Sequence, residues 1–164
     1  MKMDQHWMDL FLWEKFLNEH PIKLLIEFGT GHGGLSTFLK LQCIQRGTAF
    51  MTFDNQLSVP FESPVPALIE LRKSFHNKHI FADEIETLVS NELAARGHPA
   101  CMFFDNGDKP REWRTFYPYA TAGDYLVVHD WGTEFKDEHI TGLVTRIAES
   151  EKRSSHMTAW FQKT

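Results

Sequence analysis

A doubly wound, mainly parallel α/β sheet is the fold this sequence predicts, and three observations carry the prediction. Apolar, β-type runs alternate with helical patterns at roughly 25-residue spacing, which places helices on both faces of a parallel sheet. The run Leu24-Leu25-Ile26-Glu27-Phe28 passes straight into a glycine-dense turn, Gly29-Thr30-Gly31-His32-Gly33-Gly34. Helical spacing then resumes at Ser36, Phe38, Leu39, Cys43 and Ile44. Finally, Asp54, Asp83, Asp105 and the pair His129-Asp130 each close a predicted strand. Parallel sheets bind ligands outside the carboxyl ends of their strands, so these acids mark one candidate site.

The elements follow in order. An N-terminal helix is predicted within 1–20, its pattern spanning 4–19, because Trp7, Leu10, Phe11, Glu14 and Leu17 share helical spacing and Pro21 follows. Residues 23–28 form the first strand and 33–46 the first crossover helix, stopped at Gly47. Residues 48–53 are the second strand, ending at Asp54; the proline-bearing segment 55–66 reads as a loop and 67–76 as a short helix. The third strand is placed at 78–82, ending at Asp83, before a helix over 84–96 stopped by Gly97. Residues 100–104 are the fourth strand, and the turn residues Asn106-Gly107-Asp108-Lys109-Pro110 lead into a helix over 111–120. Residues 124–128 are the fifth strand, about 135–150 a helix, and 157–162 a final β-like run. No repeat or linker interrupts the pattern, so 1–164 reads as a single domain with a shortened C-terminal strand region.

Composition narrows the function classes. The chain of 164 residues is 42% hydrophobic and 24% charged, ordinary for a globular protein. A net charge of −5 and no basic cluster argue against a nucleic-acid surface. No apolar run reaches membrane-spanning length, and Met1–Trp7 lacks a secretory pattern, so a cytoplasmic protein is expected. Cys43 and Cys101 fall on a predicted helix and strand with no zinc spacing, and are expected to be free thiols.

The glycine turn admits two patterns. Gly29, Gly31 and Gly34 satisfy the dinucleotide fingerprint G-x-G-x-x-G, while Gly29, Gly31 and Gly33 satisfy G-x-G-x-G. Glu27 discriminates between them. Its carboxylate, two residues before Gly29, repels a pyrophosphate but suits a ligand carrying a sulfonium and an amino group. Glu27-x-Gly29-x-Gly31-x-Gly33 resembles the first motif of class I S-adenosylmethionine-dependent methyltransferases. That resemblance implies S-adenosylmethionine held by Glu27, Gly29, Thr30, Gly31 and Gly33, with Asp54 on the ribose and Asp83 at the adenine, bordered by Ile80, Phe81 or Glu84. Asp105 is expected beside the cofactor as well.

Asp105, His129 and Asp130 form the next cluster, because the fourth and fifth strands are expected to be neighbours. Two carboxylates and an imidazole suit several divalent ions. The segment 101–131 resembles metal-dependent O-methyltransferases and the cephalosporin-hydroxylase-like group, which implies Mg2+ or a similar ion at these three residues. His129 stands where those families carry an acid. The resemblance also assigns catalysis to Asp105, His129 and Lys109, the last as a base on the acceptor hydroxyl if its pKa is lowered. His32 faces ligand or solvent, and Trp113 and Trp131 form an aromatic wall or core.

The expected activity is methylation of a small-molecule hydroxyl. A nicotinamide-dependent oxidoreductase is a second enzyme class, disfavoured by Glu27 and by the length available. A non-catalytic cofactor- or partner-binding module is the third, favoured by the short C-terminal region and by His129. A homodimer is expected to cover a final edge strand exposing Trp160, or an N-terminal helix bearing Trp7, Phe11 and Trp13.

Overall fold

The computed structural model describes residues 7–55, 65–149 and 157–164. Seven strands form one sheet: β1 (Leu24–Phe28), β2 (Ala49–Asp54), β3 (Phe75–Asn77), β4 (Ala100–Phe104), β5 (Tyr125–Trp131), β6 (Val144–Glu149) and β7 (Met157–Lys163). Their order is β3-β2-β1-β4-β5-β7-β6. The first five strands are parallel, while β7 lies antiparallel between β5 and β6. The direction of winding reverses between β1 and β4, and in such sheets a crevice opens there, beyond the strand ends.

Burial on both faces follows from the period of two along each strand. Ile26, Phe28, Phe53, Phe104 and Val128 pack under α4 (Asp83–Arg96) and α5 (Lys109–Phe116). Leu25, Phe50, Phe103 and Val127 pack under α1 (Trp7–Glu19), α2 (Gly34–Arg46) and α3 (Pro66–Arg72). Because β1 is covered on both sides, all five of its residues are buried, and that includes Glu27. Cys43 and Cys101 are free and buried. No helix among the described residues is long and apolar enough to cross a membrane.

Three expectations are corrected. The third strand lies at Phe75–Asn77, before the predicted segment 78–82, because Thr52, Phe53 and Asp54 pair with Phe75, His76 and Asn77. Asp83 therefore opens α4 instead of closing a strand. The predicted helix over 135–150 is replaced by a 3-10 turn at Asp137–His139 and the strand β6. Val144, Thr145 and Ile147 are β-branched, and the ladder offered by β7 overrides the weak helical pattern. The fold thus ends in an antiparallel pair, not in one strand. Consequently β7 is no edge, and Trp160 is fully buried, edge-on to Trp13 with ring centroids 5.6 Å apart. The homodimer expectation loses both of these tryptophans; on α1, Trp7 and Phe11 remain exposed. Of the loop predicted over 55–66, residues 56–64 lie outside the described residues, as do residues 4–6 of the predicted first helix.

Candidate active site

The glycine turn is built from the β1 terminus outward. Gly29 has φ +107, and a Cβ there would collide with the backbone of Asp105 and Asn106. Only glycine lets the turn after β1 approach the turn after β4 this closely. Asp105 N–H donates to the Phe28 carbonyl at 2.8 Å, so the two turns are stitched together across the switch point. Gly31 N–H donates to Asp54 Oδ2 at 2.8 Å, which braces the turn from the end of β2.

Beneath the turn, Glu27 is enclosed. Thr52 Oγ1 donates to Glu27 Oε2 at 2.6 Å, and the Thr52 and Thr30 hydroxyls are 2.7 Å apart. Burial pushes the Glu27 carboxyl up to about 8 against the lowering hydrogen bonds from Ser36 and Thr52, with Asp105 and Asp54 adding to the rise. A cationic group arriving at this turn would meet a carboxyl able to supply a full negative charge by losing one proton.

The second half of the site depends on a bulge. Consecutive strand residues normally point to opposite faces, yet His129 and Asp130 both reach Asp105's neighbourhood. The β5–β7 register shifts between Val128 and Trp131, and Asp130 adopts φ 55, the left-handed region rarely occupied by non-glycine residues. The Asp130 carbonyl accepts from the N–H groups of Thr133 and Glu134 at 3.1 and 3.0 Å, fixing the turn that follows. This re-aiming brings His129 Nδ1 to 3.0 Å from Asp105 Oδ1 and 3.3 Å from Asp130 Oδ2.

Lys109 enters the same cluster from the first turn of α5. Its side chain is 2% exposed, and Nζ lies 2.7 Å from Glu134 Oε2, 3.0 Å from Asp130 Oδ2 and 3.8 Å from Asp105 Oδ1. Burial pulls its pKa down, but Asp105, Glu134 and Asp130 outweigh it and push the ammonium up to about 12. The lowered pKa expected of a base is absent. Lys109 is instead a fixed positive charge. Likewise burial opposes the charged form of His129, and hydrogen bonds to Asp105 and Asp130 outweigh it, raising the imidazole to about 10.

Among the other predicted positions, Asp83 is exposed at the start of α4 and His32 is exposed in the turn. Trp113 and Trp131 are core residues packed against Phe135, with no role as an exposed wall. Of the adenine-bordering candidates, Ile80 is fully buried, and Phe81 lies under Arg111 at 3.9 Å. Sequence reasoning missed Thr52, Asn77, Glu134 and Glu112. Asn77 stands opposite Asp54 at the true end of β3. Glu112 is fully buried and accepts from Asn106 N–H and Asp108 N–H at 3.4 and 3.2 Å, clamping the turn after β4. No capping-box spacing marks it, because three residues after the N-cap Asp108 stands Arg111, and Glu112 is one position further on.

No family model and no curated protein matches the sequence. Solved structures do. A CmcI structure holding Mg and SAM is 16% identical, with a TM-score of 0.60 over 79% of this chain and 55% of CmcI. An O-methyltransferase from Bacillus cereus in complex with S-adenosylhomocysteine is 8% identical, with a TM-score of 0.59 over 98% of this chain and 83% of that one. The chain has the class I methyltransferase fold. An RNA methyltransferase from Salinibacter ruber in complex with S-adenosylhomocysteine shares that methyltransferase fold at 11% identity, with a TM-score of 0.56 over 99% of this chain and 93% of the other. The chain spans only 55–63% of the length of the CmcI structures it matches.

Proposed function

We propose that this chain is an S-adenosylmethionine-dependent methyltransferase acting on an oxygen of a small-molecule acceptor. The observation that carries the reading is the juxtaposition at the switch point. A glycine turn lined by a buried, proton-holding Glu27 meets, through Gly29, the turn bearing Asp105 and its charged cluster. One half suits a cationic, phosphate-free cofactor; the other suits an acceptor hydroxyl.

In this reading Glu27 takes the ligand's amino group, the turn 29–33 lies against its methionine portion, and Asp54 serves the ribose. Adenine lies toward Asn77 and the start of α4, where Asp83 is in reach of its amino group. The acceptor hydroxyl donates to the carboxylate of Asp105 or Asp130 while its oxygen attacks the methyl carbon. The C–S bond breaks, the sulfonium becomes a thioether, and the proton leaves through that carboxylate. Lys109 and His129 face the charge developing on the oxygen. Orientation of the two reactants supplies most of the acceleration in such a displacement.

A divalent ion is the further expectation, and the donor types suit one: ligand atoms of Asp105, His129 and Asp130 lie within 4.8 Å of one another. The geometry does not. His129 Nδ1 already donates to two carboxylates, and the inward carboxylate oxygens already face the Lys109 ammonium.

Calorimetry with S-adenosylhomocysteine tests the reading. Binding in the micromolar range is expected, weakened by about 1–3 kcal/mol in Glu27→Ala or Asp54→Ala if a buried charged hydrogen bond is lost. No binding at about 1 mM, where even a −4 kcal/mol interaction registers, sinks it. Cofactor binding without transfer to any hydroxyl acceptor favours the binding module instead. A cytoplasmic setting and an acceptor other than nucleic acid belong to the same proposal.

A further inference from the structure

We propose that Lys109 is a built-in cation that takes the place of a divalent ion at the acceptor end of the site. The inference rests on the methyltransferase reading for the word acceptor, but its geometry stands on this chain's residues alone. An ammonium has three N–H donors and no acceptor. Lys109 Nζ has three carboxylates around it, at 2.7, 3.0 and 3.8 Å, and those of Asp105 and Asp130 are the ones an ion would use. Two of its partners, Asp130 and Glu134, belong to the β5 bulge and the turn after it, and the third follows β4. The ammonium therefore ties together the ends of two strands, as a bridging metal would.

The lysine is also held in place. Asp108 caps α5 by accepting from Arg111 N–H at 3.2 Å, and Glu112 fixes the preceding turn through Asn106 and Asp108. Lys109 thus starts from a rigid helical turn, and its side chain is 2% exposed. The imidazole completes the argument. His129 Nδ1, 3.0 and 3.3 Å from two carboxylate oxygens, donates its proton to them, and in that state it has no lone pair to give an ion. Seating a divalent ion among these carboxylates with Nδ1 as a ligand requires displacing the Lys109 ammonium and stripping that nitrogen of its proton. With the ammonium left in place, the two cations repel.

A specificity consequence follows for the acceptor. A metal ion gathers two neighbouring oxygens of one molecule into its coordination sphere, whereas an ammonium presents single hydrogen bonds. The acceptor class is a molecule with one engaged hydroxyl, with no need for an adjacent oxygen to chelate.

The test is a titration of the full chain with Mn2+, read by loss of the free-ion electron paramagnetic resonance signal, beside S-adenosylhomocysteine calorimetry. The wild type is expected to leave the Mn2+ signal unchanged up to about 1 mM ion, a Kd weaker than the −4 kcal/mol level. Lys109→Met keeps the stem and removes the charge; with its circular dichroism unchanged, it gains at least tenfold in Mn2+ affinity. Lys109→Arg retains a cation and behaves as the wild type. Stoichiometric Mn2+ binding by the wild type overturns the proposal whatever the variants do. So does a folded Lys109→Met that gains no affinity. Failure of the wild type to bind S-adenosylhomocysteine strikes the methyltransferase reading instead, and the Mn2+ result still judges Lys109.

Discussion

Glu27 links the stability of the protein to its ligand chemistry at the scale of one residue. Its ordinary value of 4.5 is raised to about 8 in the folded chain, so folding takes up a proton between those limits. Stability contributed by the neutral carboxyl is complete below pH 4.5 and is lost as pH rises through about 8. Glu112, also pushed to about 8 by burial, acts in the same direction. Thermal melts of wild type and Glu27→Gln between about pH 5 and 9 should therefore diverge, the variant losing less stability toward the alkaline side. A cationic ligand demands the carboxylate, so its binding near neutral pH should release a proton. Calorimetry in two buffers of different ionisation enthalpy measures that release, and Glu27→Gln should abolish it. Gly29 gives a second prediction at this scale. Gly29→Ala puts a methyl into the Asp105 backbone at a φ of +107 and should cost on the order of 2–4 kcal/mol in urea unfolding.

Among elements, the strands that carry site residues differ in how openly they announced themselves. β1 and β4 are legible because apolar runs, broken only by Glu27 in β1, end at Gly29 and Asp105, where turn chemistry changes abruptly. β3 was misplaced because it is three residues long and formed by pairing with β2, with little pattern of its own. β6 carries a helix-like local pattern, and its strand conformation depends on pairing with the strand after it, so the decisive contacts are not local. The composition of the cluster, Asp105 with His129 and Asp130, was legible from strand ends. The bulge that aims it was not, since a left-handed Asp130 depends on the register with β7. Nor was the Lys109–Glu134 pair, whose members lie 25 positions apart. The element-level test concerns β7. Trp160 is fully buried against Trp13, so Trp160→Ala should destabilise by about 3–5 kcal/mol, the cost of emptying a core aromatic site. A surface role for Trp160 would leave stability nearly unchanged.

At the scale of the whole molecule, the sheet order explains why one end holds every candidate group. Four parallel strands, β2, β1, β4 and β5, deliver Asp54, Glu27 with the glycine turn, Asp105 and the His129-Asp130 pair to the same rim. For Asp54, Glu27 and Asp105 the winding suffices, since each strand merely has to end in the right residue; the His129-Asp130 pair needs the β5 bulge as well. His129 and Lys109 then give this rim a charge pattern of its own.

The position of β7 has a temporal meaning. It is the last described strand in chain order, yet it inserts between β5 and β6 and pairs Met157 with Trp131, directly after the Asp130 bulge. Residues 157–163 follow the five parallel strands in the chain, and the bulge has no partner strand until they dock. Without β7 the sheet has an unsealed seam beside β5, and the bulge that aims the charged cluster lacks its partner. Removing residues 157–164 should leave a chain with helical circular dichroism that binds no S-adenosylhomocysteine. Supplying a peptide of that sequence in trans should restore both the binding and the protection of β5 amides from hydrogen exchange.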